Sequence, residues 1–187
     1  MEIITVEDLM VPIEEYATIG ESGTLYEAVR SLEKAQEEFD YKHSLYRHRA
    51  ILILDKYENV VGKISQLDIL RALEPKYQDI GDTRAMSRSG LSTDFIKSMM
   101  ENYRLCNIPF TEMCGKAANL KVTDIMYTPS EGEYIEEETS LCEAIHMFVM
   151  GCHHSLLVTR NEKIVGILRI SDVFKEAFQT MESHKSE

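Results

Sequence analysis

Val6-Glu7-Asp8-Leu9-Met10 returns as Val122-Thr123-Asp124-Ile125-Met126, and Thr24-Leu25-Tyr26-Glu27-Ala28-Val29 returns as Ser140-Leu141-Cys142-Glu143-Ala144-Ile145. Both recurrences have an offset of 116 (122 − 6). Further along, Val60-Val61-Gly62 returns as Ile164-Val165-Gly166 and Asp68-Ile69-Leu70 as Asp172-Val173-Phe174, now at an offset of 104 (172 − 68). An ordered set of segments that occurs twice marks two copies of one supersecondary unit. The first copy is longer by 12 residues (116 − 104), inserted around Phe39 to Arg47, between its first helix and the next strand.

Each copy has the same periodicity. Thr24 and Ser140 stand three residues before Glu27 and Glu143, the capping-box spacing, so a helix is expected to begin at each. Ala50-Ile51-Leu52-Ile53-Leu54 and Ser155-Leu156-Leu157-Val158 are short runs rich in branched residues, suited to buried strands. Turn-forming Asp55 to Asn59 and Arg160 to Lys163 lead into second strands, Val60 to Ile64 and Ile164 to Leu168. A last helix is expected from near Ser65 and near Ser171. The unit is therefore strand, helix, strand, strand, helix, a mixed α/β (α+β) module too small to be comfortable alone.

The expected organisation is a first module over residues 1–74, a helical insertion or linker over 75–118, a second module over 119–180 and a tail over 181–187. In the insertion, Ser87-Arg88-Ser89-Gly90 reads as a loop. Ser92-Thr93-Asp94 then opens an amphipathic helix carrying Phe95, Ile96, Met99, Met100 and Tyr103. Pro109 opens a second short helix, since proline is tolerated in a first turn. These helices are expected to pack on the modules.

The 187 residues are 44% hydrophobic, enough for a buried core, and carry 20 Lys and Arg against 32 Asp and Glu, a formal charge of −12. Such a field repels phosphate backbones and anionic lipid head groups, so neither nucleic acid nor membrane is expected as partner. No apolar run approaches the ~20 residues of a membrane-spanning helix. The start of the chain lacks the basic and long apolar stretches of a secretory signal, so a cytoplasmic location is expected. Cys106, Cys114, Cys142 and Cys152 show no CxxC pairing and read as reduced thiols, mostly packing. Walker-type loop, GxSxG elbow and HExxH are all missing from the sequence, so no catalytic activity is expected.

Two strand-helix-strand-strand-helix copies, each with Asp-hydrophobic-Met near its start and Gly-x-x-x-x-x-Asp near its end, resemble a tandem of cystathionine beta-synthase (CBS) domains, a Bateman module. The resemblance covers roughly residues 3–74 and 119–180. It implies two domains packed by their sheets about a pseudo-twofold axis, with two clefts that take adenine nucleotides or related adenosyl compounds. It further implies a regulatory protein that requires no cofactor, assembles as a homodimer and signals to a protein target, here unknown. The ligand is expected to be AMP, ADP, ATP or S-adenosylmethionine. The family signature Gly-x-x-Thr/Ser-x-x-Asp matches Gly62-Lys63-Ile64-Ser65-Gln66-Leu67-Asp68 in full. In Gly166-Ile167-Leu168-Arg169-Ile170-Ser171-Asp172, Arg169 stands in place of the hydroxyl residue. The strands Ile51-Leu52-Ile53 and Leu156-Leu157-Val158 lack the family's proline.

The resemblance makes Ser65, Asp68, Arg169, Asp172, Arg49, His154, Tyr16 and Tyr134 the candidate ligand-binding residues. A carboxylate fixed at a helix start can accept two hydrogen bonds from a ribose diol, the role implied for Asp68 and Asp172. Ser65-x-x-Asp68 also has capping-box spacing, and a cap needs no ligand. Arg169 admits two readings: a fork that holds phosphate, or a partner for one of the many acidic side chains. The clusters Arg47-His48-Arg49 and His153-His154 precede equivalent strands and read either as anion attractants at the cleft mouths or as solvated edges. Cys152-His153-His154 is not expected to hold a metal, because adjacent side chains on a strand point to opposite faces. The alternative to ligand sensing is an interaction or scaffold protein that binds no ligand and works through the insertion. A weaker one is an enzyme with an unrecognised site.

Overall fold

The computed structural model describes residues 3–37, 48–81 and 90–185, apart from the Gln78 side chain. The lengthened link around 39–47, Arg47 with it, and residues 87–89 of the insertion loop lie outside the described residues. The first copy provides β1 (Val11–Pro12), β2 (Thr18–Gly20), α1 (Leu25–Glu37), β3 (Ala50–Leu54), β4 (Val60–Ser65) and α2 (Gln66–Ala72). After a 3-10 turn at Pro75–Ile80, the insertion contributes α3 (Thr93–Asn102) and α4 (Phe110–Ala117). The second copy provides α5 (Val122–Ile125), β5 (Tyr134–Glu136), α6 (Leu141–Gly151), β6 (Ser155–Arg160), β7 (Lys163–Arg169) and α7 (Ile170–Lys185). The segment set apart as a tail is thus helical through Lys185.

Two sheets form, β2-β3-β4 and β1-β7-β6-β5, each with one parallel strand pair next to an antiparallel hairpin. β1 does not join the sheet of its own copy. It pairs with β7, Val11 opposite Ile167 and Pro12 opposite Gly166. Tyr127 makes the reciprocal bridge to Lys63 of β4. The repeat offsets carry Val11 onto Tyr127 and Lys63 onto Ile167, so the two crossings are one interaction seen twice.

The segment before each crossing is exchanged as well. The Val6 N–H donates to Thr139 O at 2.9 Å and the Val122 N–H to Gly23 O at 3.1 Å, again equivalent positions. Val6, fully buried, packs with Ile135, Ala144, Phe148 and Leu156 of the second copy. Val122, equally buried, packs with Ala17, Ala28, Ile51 and Ile64 of the first. Full burial of a valine contributes about 1.5–3 kcal/mol, so each arm holds the other copy's core by at least one such anchor. Between the sheets lies a third core of Tyr16, Ala50, Leu52, Leu157 and Ile167, flanked by half-buried Ile13, Val60 and Tyr134.

In the insertion, α4 buries Met113 and Ala117, and Ala117 joins Leu25 and Ala72 in a small cluster against the first copy. α3 does not pack as expected: it buries no side chain, and Phe95, Ile96, Met100 and Tyr103 stand 40–45% exposed. Its apolar face has no counterpart among the described residues. The cysteines also depart from expectation, since Cys106, Cys142 and Cys152 are exposed and Cys114 is only partly covered. Cys106 and Cys152 sit at turns with positive φ (56° and 52°).

Each arm brings its repeated methionine over the repeated glycine of the other copy. A Cβ on Gly166 would lie 2.7 Å from the Val11 carbonyl oxygen and 3.0 Å from Met10 Sδ; on Gly62 it would lie 2.7 Å from Met126 Sδ. Gly166→Ala should therefore lower stability by about 1–3 kcal/mol in urea unfolding, because backbone must move. Gly62→Ala should cost less, since a flexible thioether can yield. Gly115→Ala, within α4 and facing open space, should raise stability by up to about 1 kcal/mol.

Candidate functional site

The last strand of each hairpin runs directly into a helix, and this junction places the signature carboxylates. In the first copy Ser65 is the N-cap of α2. The Asp68 N–H donates to Ser65 Oγ at 3.3 Å, and Asp68 Oδ2 accepts from the Ser65 N–H at 2.9 Å and its hydroxyl at 2.6 Å. This is a complete capping box. Asp68 Oδ1 carries one long contact, 3.4 Å to Arg71 Nη1. Asp68 is buried and Ser65 half-buried.

In the second copy the guanidinium of Arg169 takes over the donation to the carboxylate that the hydroxyl makes in the first, but has no acceptor with which to cap a helix amide. Its Nε stands 2.5 Å from Asp172 Oδ2 and its Nη2 2.6 Å from Oδ1, a two-pronged buried pair. Nη1 lies 3.3 Å from Nδ1 of His48, from the first copy. His48 in turn meets the ring of Tyr16 edge-on, centroids 4.4 Å apart. All four side chains are buried, so Tyr16, His48, Arg169 and Asp172 form one polar network across the two copies. Burial, then the Arg169 charge, pushes the His48 pKa down to about 4. A neutral His48 presents Nδ1 as acceptor to the guanidinium. Burial also pushes Tyr16 up to about 12.

A second network crosses between the copies at Glu133. Its Oε2 accepts from Lys63 Nζ at 2.5 Å, and its Oε1 from the hydroxyl of Tyr127 and the amide and hydroxyl of Ser130. Burial alone would raise the pKa of Glu133, but the Lys63 and Tyr127 hydrogen bonds outweigh it and hold the carboxyl at about 2. Lys63 and Tyr127 are the residues of the reciprocal strand crossing, so this ion pair clamps one arm to the first copy.

The eight candidate residues are thus placed as follows. Ser65 and Asp68 come together in one junction, Arg169 and Asp172 in the other, and Tyr16 reaches the second through His48. Arg49 and His154 have exposed side chains. Their carbonyls occupy equivalent positions, accepting from the Gln66 N–H at 3.2 Å and the Ile170 N–H at 3.1 Å. Tyr134 lines the core between the sheets. Sequence reasoning left His48 as one of a basic cluster and did not single out Lys63, Tyr127 or Glu133. The Ser130-x-x-Glu133 spacing was the available signal for the last. A surface depression of about 560 Å³, lined by Ile3, Ile4, Thr5, Asp8, Leu9 and Glu176, includes none of these groups. Among the described residues no cluster of His, Cys, Asp and Glu has the arrangement of a metal site, and no helix is long and apolar enough to cross a membrane.

Two α/β modules with exchanged arms, each presenting a carboxylate at its strand-to-helix junction, define a tandem-module protein of the CBS-pair class. The CBS-domain family model matches residues 6–75 and 122–181, and the chain belongs to that family. No curated protein matches it. Among solved structures it is similar to the CBS-pair protein CBSX2 from Arabidopsis thaliana, with 20% identity over 97% of this chain and 99% of that one and a TM-score of 0.61. It is similar to a putative acetoin utilization protein (AcuB) from Vibrio cholerae, 18% identical over 100% and 98% of the two chains, TM-score 0.60. The structure of CBSX2 in complex with AMP aligns at 17% identity over 95% and 98%, TM-score 0.57. At these identities the likeness is one of fold, and it includes the expected pairing of two domains.

The depressed pKa of His48 makes the inter-copy network sensitive to acid. The unfolded chain takes up a proton near pH 6.5, while the folded protein refuses it until about pH 4, so stability falls as pH drops through that window. The loss at pH 5 relative to neutral should be about 2 kcal/mol. Glu133 contributes little to that loss, because its stabilisation is complete above its unfolded pKa of 4.5 and disappears only toward pH 2. Urea unfolding between pH 7 and 5 should show the slope in the wild type and lose most of it in His48→Gln.

Proposed function

We propose that the chain is a non-catalytic regulatory protein that binds an adenosine-containing ligand between its two copies and passes the resulting change in packing to a protein partner. The observation that carries this reading is Asp68: a buried carboxylate, fixed by its cap through one oxygen, whose other oxygen has, among the described residues, a single 3.4 Å contact to Arg71. Such a group can accept from a ribose hydroxyl. The shared fold with CBSX2, solved with AMP, supports the same ligand class. AMP, ADP, ATP and S-adenosylmethionine all present the required diol.

The outer helical faces support self-association. Leu67 and Leu70 on α2 and Phe174, Phe178 and Met181 on α7 are 52–65% exposed, the last three at helical spacing on one face. Coverage by a second copy would give a homodimer, and light scattering should report about twice the chain's 21.5 kDa. A monomer at micromolar concentration would count against it. The scaffold reading draws support from one feature, the unpacked apolar face of α3.

Thermal shift and calorimetry separate the two. An adenosine compound at millimolar concentration should raise the melting temperature, with the matching guanosine or cytidine compound doing less. Asp68→Asn should weaken binding tenfold or more, since a hydrogen bond to a charged group contributes about 1.5–3 kcal/mol. Absence of heat with every adenosyl compound would leave the scaffold reading in possession.

A further inference from the structure

We infer that the second copy's junction is occupied by the protein's own Arg169, so that each chain takes one adenosine-type ligand, at Asp68, and none at Asp172. This rests on the reading of the chain as a binder of adenosine compounds and assigns that activity to one of two equivalent positions.

The repeat makes the two junctions equivalent in backbone, and one substitution makes them unlike in chemistry. At Asp68 the capping residue is a serine, which holds Oδ2 and leaves Oδ1 to Arg71 at 3.4 Å. Arg71 is 31% exposed, so this long contact is partly open to water. At Asp172 the capping position is held by Arg169, and both carboxylate oxygens already receive hydrogen bonds, at 2.5 and 2.6 Å. The Arg169 side chain is 6% exposed and has no route to solvent comparable with that of Arg71. Its remaining terminal nitrogen is directed at His48, itself covered by Tyr16. The first copy therefore closes over the guanidinium.

For a diol to reach Asp172, Arg169 must release both oxygens while its guanidinium stays buried, which is the costly way to break a buried ion pair. A nucleotide could offset this only by giving its phosphate to Arg169 while its ribose takes Asp172, and Tyr16 and His48 would have to withdraw to admit it. In that case the network would be a displaceable guard instead of a permanent occupant. The two outcomes differ in stoichiometry and in what happens to Arg169.

Calorimetric titration of the full chain with AMP should give one site per chain. The double variant Arg169→Met/Asp172→Asn, which removes both charges together, should bind AMP within about twofold of the wild type, whereas Asp68→Asn should lose tenfold or more. In the wild type the Nε–H of Arg169 should exchange slowly with solvent and keep its nitrogen-15 NMR shift at saturating AMP. Two sites per chain, a tenfold loss in the double variant, or an AMP-dependent shift or release of the Arg169 signal would overturn the inference. Should neither AMP nor any other adenosyl compound give heat, the functional reading fails. The Arg169 signal still decides the occupancy of the junction: slow exchange supports it and fast exchange overturns it.

Discussion

Everything in this structure depends on the exchange of the two N-terminal arms. Val6 and Val122 are each buried in the core of the other copy, and each arm then adds a backbone crossing to the other copy's last strand. Neither module completes its own core, so the copies fold as one body and the faces of their sheets meet. That meeting places His48 and Tyr16 of the first copy against Arg169 and Asp172 at the last helix start of the second.

The frame is symmetric and its charges are not. Lys63 of the first copy reaches across to Glu133, while the equivalent Ile167 lies in the apolar layer between the sheets. Ser65 caps through a hydroxyl, while Arg169 at the equivalent position forks onto Asp172 and engages His48. Both ionic networks link one copy to the other, and both are well satisfied, the condition under which buried charge specifies an arrangement without leaving an unpaired group. The pseudo-twofold body thus has two sides of different chemistry.

The repeat, the element order and the helix caps at Thr24, Ser65 and Ser140 were legible in the sequence because they depend on local spacing. The pairing of the two copies was legible only through the family resemblance. Which copy each arm joins could not be read locally, since Val6-x-x-Leu9-Met10 has the same apolar pattern whichever core receives it. The unpacked state of α3 was hidden for a related reason: an amphipathic pattern says that a face wants cover and not what covers it. At the candidate site, the spacing showed that Asp68 and Asp172 would sit at helix starts. It left Arg169 between a phosphate fork and an acidic partner, because the choice turns on the burial of His48 and Tyr16 from the other copy, a tertiary fact. Glu133 was missed because its partner Lys63 is 70 residues away.

The most direct test of this account is a crystal structure of the protein grown with AMP. The account predicts one nucleotide per chain, its ribose hydroxyls on Asp68, with Arg169 still forked onto Asp172 and His48 and Tyr16 unmoved. A nucleotide seated on Asp172, with Arg169 turned away from the carboxylate or onto the phosphate, would contradict it.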